Sequence, residues 1–236
     1  MASIEYFGVF ATPLIKGIPF ELEHLITEPV PALSYLRDKH GTLDSFKCPA
    51  LITHLKNTYY ITSPIDFTLT KVGENFWKLS NTKGRTKSLN PYLDVQVPES
   101  KLIDNSVCLN IGLQYYFVNN GDDVIMEVID PPLVQMPLTN MPGEFNISKW
   151  YRPTNFTFFI DSSLNEVKFK RGDPLYAVRF RANNKTVKLS KIEDFSFREA
   201  ILTEQMRATT IKDYYPGLKL EEMYELFKSS VKRIFK

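Results

Sequence analysis

The chain is poor in the residues that usually carry chemistry. Its 236 residues include only three His and two Cys. His24, His40 and His54 form no His-x-His or His-x-x-x-His pair, the spacing that brings two imidazoles to one metal. Cys48 and Cys108 are far apart and show no metal-type spacing, so the expectation is a reduced pair. Gly is scarce at 10, and there is neither a phosphate-cradling Gly loop nor a Gly-x-Ser-x-Gly nucleophile elbow. A formal net charge of +2 supplies no global field toward nucleic acid or an anionic membrane. No apolar run approaches the ~20 residues of a membrane span. Without a basic-plus-apolar leader the chain is expected to be soluble and not secreted. On that expectation, the Asn-x-Ser/Thr triplets at Asn146, Asn155 and Asn184 are coincidental.

What is abundant is aromatic. Seventeen Phe and twelve Tyr favour pleated surfaces, where flat rings pack well. Fifteen Pro limit long helices. Pro13, Pro19, Pro29 and Pro31 make residues 1–45 read as an irregular N-terminal segment. Pro49 suits a first helical turn, so a short helix is expected over 50–55, ended by Asn57.

Strands are expected over 59–62, 65–71, 76–79, 92–97, 107–118, 124–129, 145–147, 155–160, 166–170, 175–180 and 186–189. Within 167–180, Val167 and Phe169 alternate with Lys168 and Lys170. Arg171-Gly172-Asp173-Pro174 then breaks the pattern with turn residues before a second strand. Asn119-Asn120-Gly121-Asp122 reads as the turn of a hairpin joining 107–118 to 124–129. Residues 46–190 are thus a mainly β core, an antiparallel barrel or jelly roll.

Residues 191–236 read as a helical extension. Ser196 and Glu199 match a capping box, so one helix is expected over 197–212. Pro216-Gly217 breaks it. Leu220, Met223, Tyr224, Phe227, Val231 and Ile234 follow the period of a second helix. Phe227, Val231 and Ile234 mark it as a partner-docking or self-association surface. The loop Lys83-Gly84-Arg85-Thr86-Lys87 beside Phe76 and Trp77 could stack and neutralise a nucleic acid, but a solvated loop is the preferred reading.

Several segments, in order, resemble an uncharacterised family of tailed-bacteriophage proteins, those of large marine phages above all. They are Cys48-Pro49, Tyr60-Ile-Thr-Ser-Pro64-Ile-Asp66, Asp130-Pro131-Pro132, Phe156 to Ile160 and Phe169-Lys-Arg-Gly172-Asp-Pro174-Leu. The resemblance spans roughly residues 45–190. It implies a protein of the host cytoplasm or the virion, and a binding or structural role rather than a reaction.

The stretch Phe169 to Ala177 also resembles, more distantly, the late strand–turn–strand of trimeric dUTPases and dCTP deaminases, a β-clip core. Tyr151-Arg152 is similar to the Tyr-Arg of that fold's catalytic hairpin. The likeness implies an alternative, nucleotide-binding function. Tyr151 would stack on a base, Arg152 or Arg171 would face phosphate, and Glu144 or Asp173 would hold Mg²⁺. The water-activating carboxylate departs from that pattern, because Glu144 adjoins the hairpin glycine and no Asp follows before Tyr151. No cofactor is expected on the preferred reading. A protein partner or self-association is expected, and neither a membrane nor nucleic acid.

Overall fold

The computed structural model describes residues 1–10, 26–41, 43–73, 76–81, 93–96, 105–119, 121, 123–214, 217, 219, 221–222 and 224–225. The chain is mainly β, with curled antiparallel sheets forming a half-barrel. Among the described residues the strands make three sheets. The six-stranded sheet is built on β7 (Ser106–Val118), the longest strand. One edge of β7 carries β1 (Ala2–Phe10) and β6 (Leu93–Gln96), and the other carries β11 (Pro153–Asp161). Outside these lie β14 (Val187–Lys191) on β1 and β9 (Leu138–Asn140) on β11. The β1–β14 pair is parallel, the exception to an otherwise antiparallel set.

The five-stranded sheet runs β10 (Gly143–Asn146), β8 (Ile125–Ile129), β13 (Pro174–Arg181), β3 (Thr58–Thr62) and β2 (Val30–Pro31). A three-stranded sheet places β4 (Phe67–Lys71) between β12 (Glu166–Phe169) and β5 (Trp77–Asn81). Period-two alternation decides what lies inside. Val107, Leu109, Ile111, Leu113, Tyr115 and Phe117 of β7 all enter the main core. They meet Phe156 and Phe158 of β11, Tyr176, Val178 and Phe180 of β13, and Phe169 of β12.

Two further clusters cover the outer faces. Phe7, Val9, Tyr116, Val118 and Tyr151 lie on the other side of the six-stranded sheet, beneath Ile201 of α3 (Phe195–Tyr214). Ala32 and Leu36 of α1 (Ala32–His40) and Leu55 of α2 (Pro49–Leu55) pack on Tyr60 and Ala177 of the five-stranded sheet.

Three local expectations change. Residues 1–45 are not irregular throughout, since β1 sits inside the largest sheet, bonded on both edges. Its Ala-Ser-Ile-Glu-Tyr-Phe-Gly-Val-Phe run precedes the first proline, and the prolines obscured it. The strands on either side of 119–124 do not form a hairpin. β7 belongs to one sheet and β8 to another, so the chain crosses between them there. Local turn chemistry fixes a reversal but not which sheet receives the returning strand. The third helix starts earlier than the capping box implies. The carboxylate of Asp194 accepts the N–H groups of Ser196 and Phe197, so Asp194 is the cap. The second terminal helix lies mostly outside the described residues, although 221, 222, 224 and 225 are helical.

The 167–180 stretch is strand–turn–strand, and its strands serve different sheets. β12 pairs β4, while β13 pairs β3. The two connections therefore run side by side as one bent ribbon. Ser63 N–H donates to the Asp173 carbonyl and Gly172 N–H to the Ser63 carbonyl, each at 2.8 Å. Asp66 accepts the Arg171 N–H at 2.7 Å, and Asp173 accepts that of Lys170 at 2.8 Å. Gly172 makes the bend possible at φ +91°, a conformation costly for residues with a Cβ. A Cβ there would meet nothing within 4 Å, so the penalty is conformational. Gly172→Val should cost roughly 1–3 kcal/mol in urea unfolding, and Gly172→Asn less, because Asn tolerates positive φ. Equal stability of all three proteins would refute this.

Candidate functional site

Glu144 and Arg152 lie at the corner where β10 turns into β11. The turn follows from Asn146. Its side-chain oxygen accepts the Ser148 N–H at 2.9 Å, and its carbonyl accepts those of Lys149 and Trp150. Its amide nitrogen reaches the Asp123 carboxylate. The Ser148 hydroxyl accepts the Val124 N–H, and the Ile147 N–H donates to the Val124 carbonyl. The corner is thereby fastened to the crossing that precedes β8.

This reversal brings aromatic rings together under a cation. Phe145 and Trp150 are both buried, with ring centroids 6.3 Å apart. The Arg152 guanidinium lies 5.3 Å from the Trp150 ring centroid and 5.9 Å from that of Phe145. Tyr224, from beyond α3, meets Trp150 edge-on at 6.5 Å, and the Lys149 ammonium stands 5.8 Å over its ring. The Tyr224 hydroxyl accepts the N–H of Asn146 at 2.8 Å. Crowding by protein atoms lowers the Arg152 pKa, and the nearby Tyr224 partly opposes that. The side chain itself stays exposed at the surface, where a guanidinium remains charged.

A ladder of charges adjoins the corner. Glu144, Glu127 and Arg179 are opposite one another across β10, β8 and β13. Arg181 bridges the two carboxylates, at 2.8 Å to Glu127 and 2.6 Å to Glu144. The charge of Glu144 is thus met within the protein, leaving the cations of Arg152 and Lys149 on the aromatic side.

The other sequence-derived residues fall elsewhere. Tyr151 points away from Arg152 and is buried beneath α3, where burial, with Glu5 adding to it, pushes its hydroxyl well above the ordinary range. Its ring is closed to a stacked base in this conformation. Arg171 and Asp173 belong to the ribbon bend, where their backbone and side-chain bonds go to neighbouring turn residues. Phe227, Val231 and Ile234 lie outside the described residues, as does the loop 83–87. Among the described residues, no three His, Cys, Asp or Glu side chains group so as to hold a metal ion. No described helix is long and apolar enough to cross a membrane.

Sequence reasoning did not single out Phe145, Trp150, Lys149 and Tyr224 as a group. Alternation was the available signal: Trp150 and Arg152 share a side in an extended lead-in, and Tyr151 takes the other. Tyr224 is distant in sequence, and nothing local announces its contact. No family model matches the chain, and no curated protein matches it.

Proposed function

We propose that the chain is a phage-encoded binding or structural protein, and that the Arg152 corner is the surface it presents to a protein partner. One observation carries the choice of surface. An exposed guanidinium rests on two buried rings, which limits the side-chain freedom that binding must remove. Arginine and tryptophan held in this way are the residues that dominate binding energy at protein interfaces. The phage origin rests on the sequence resemblance alone.

The alternative nucleotide reading draws less from the geometry. Its base-stacking Tyr151 is buried, and its phosphate and metal residues are divided between the corner and the ribbon bend.

The test is capture of partners from infected host cells by wild type and by Arg152→Ala, with both proteins also assayed against dUTP and dCTP in Mg²⁺. The expected result is a partner held by wild type and lost, by at least about tenfold in affinity, in the variant. Identical capture by both proteins, or turnover of either nucleotide, would overturn the proposal.

A further inference from the structure

The corner already holds a ligand of a kind, namely a segment of its own chain. Glu221, Glu222, Tyr224 and Glu225 are helical, with Lys219 just ahead of them. Glu222 accepts the Lys219 N–H at 2.7 Å, the return half of a capping box. Of these residues, Tyr224 makes the contacts with the corner described above: its hydroxyl to Asn146, its ring edge to Trp150, its ring face to Lys149. Glu221, Glu222 and Glu225 stay exposed around it.

The chemistry is complementary. Glu221, Glu222 and Glu225 flank the tyrosine in sequence, while the Lys149 ammonium stands over its ring and the Arg152 guanidinium lies nearby. Glu221 and Arg152 both lie close enough to Tyr224 to act on its ionisation, in opposite directions. Glu144 acts on it as well, but its carboxylate is bonded to Arg181. Tyr224 is only half-buried, and one ring with one hydrogen bond is a small anchor. Such a contact is stable when tethered, because the tether raises its effective concentration, and it is replaceable by a better ligand.

We infer that the Arg152 corner recognises a tyrosine flanked by carboxylates, and that Tyr224 occupies it as a built-in competitor for a partner segment of that composition. This rests on the corner being the binding surface and adds the partner's chemistry. The partner must displace Tyr224, so the terminal stretch sets a threshold for binding.

The probe is a fluorescent synthetic peptide with the sequence of residues 217–226, added to full-length protein and followed by anisotropy. Tyr224→Ala should vacate the corner and bind the peptide about ten times more tightly than wild type, a difference of roughly 1.4 kcal/mol. Tyr224→Phe keeps the ring, loses only the hydroxyl acceptor and should fall between them, which guards against a misfolded Ala variant. Binding should vanish when the peptide's tyrosine is replaced by alanine, or when Arg152 and Lys149 are both replaced by alanine in the Tyr224→Ala protein. Equal binding to wild type and Tyr224→Ala, no binding to Tyr224→Ala, or indifference to the peptide's tyrosine would overturn the inference. Arg152-dependent partner capture persisting alongside such a result would leave the binding surface standing and remove only the competitor. Peptide binding as expected without Arg152-dependent capture would do the reverse.

Discussion

Tyr176→Ala should destabilise the protein by about 3–5 kcal/mol, and Tyr176→Phe by about 1 kcal/mol. Tyr176 has 0% exposure in the main core. Its ring stacks on Phe156 at 5.9 Å, and its hydroxyl shares a hydrogen bond with that of Thr154 at 2.9 Å. Thr154 also donates to the Tyr115 carbonyl, so β7, β11 and β13 meet at this point. Truncation to alanine loses apolar contacts and leaves a cavity between two sheets that are each held by their own ladders and cannot collapse onto it. The phenylalanine variant keeps the ring and strands only a hydroxyl. Urea unfolding of the three proteins gives the comparison. Matching losses for Ala and Phe would show that packing at this position matters little.

The second large effect concerns alkali. Burial raises the pKa values of Tyr115, Tyr116 and Tyr176 above the ordinary 10.0. In the folded state these hydroxyls stay protonated where the unfolded chain has begun to lose its protons. Their contribution is therefore complete below pH 10 and is lost as pH rises beyond it, at about 1.4 kcal/mol per pH unit for each group. Together they remove roughly 4 kcal/mol per unit, against a typical domain stability of about 5–15 kcal/mol. Tyr6, Tyr60 and Tyr151 shift the same way. Tyrosinate absorbance and far-UV circular dichroism should accordingly change together, in one cooperative step above pH 10. Ionisation of these tyrosines in a chain that keeps its circular dichroism would contradict the burial described.

Most of the β core was legible because the pleat writes itself into sequence. The alternation along Val107 to Val118 and along Asn155 to Ile160 matches β7 and β11, and both ends of the Arg171–Pro174 turn are placed. Sheet membership was not legible. It depends on contacts between strands distant in the chain, which is why 119–124 looked like a hairpin. The Ser196 cap lost to Asp194 for a smaller reason: two capping residues stand two positions apart, and the earlier one, accepting the Ser196 and Phe197 N–H groups, starts the helix first. At the corner, the Tyr-Arg pair drew attention to Arg152 but gave its neighbour the wrong surroundings. Tyr151 is covered by α3, an element whose position no local pattern encodes.

The bent ribbon has a consequence for how the gene can change. The bends at 63–66 and 170–173 are bonded to each other across both connections, while β4 with β12 and β3 with β13 continue on either side. One residue added to a single bend would slip one of these pairings by a position and turn its inward side chains toward water. On the β12 side those are Val167 and Phe169. Relatives of this chain should therefore gain or lose length in both bends together or in neither, and an insertion confined to one should survive only beside a compensating insertion in the other.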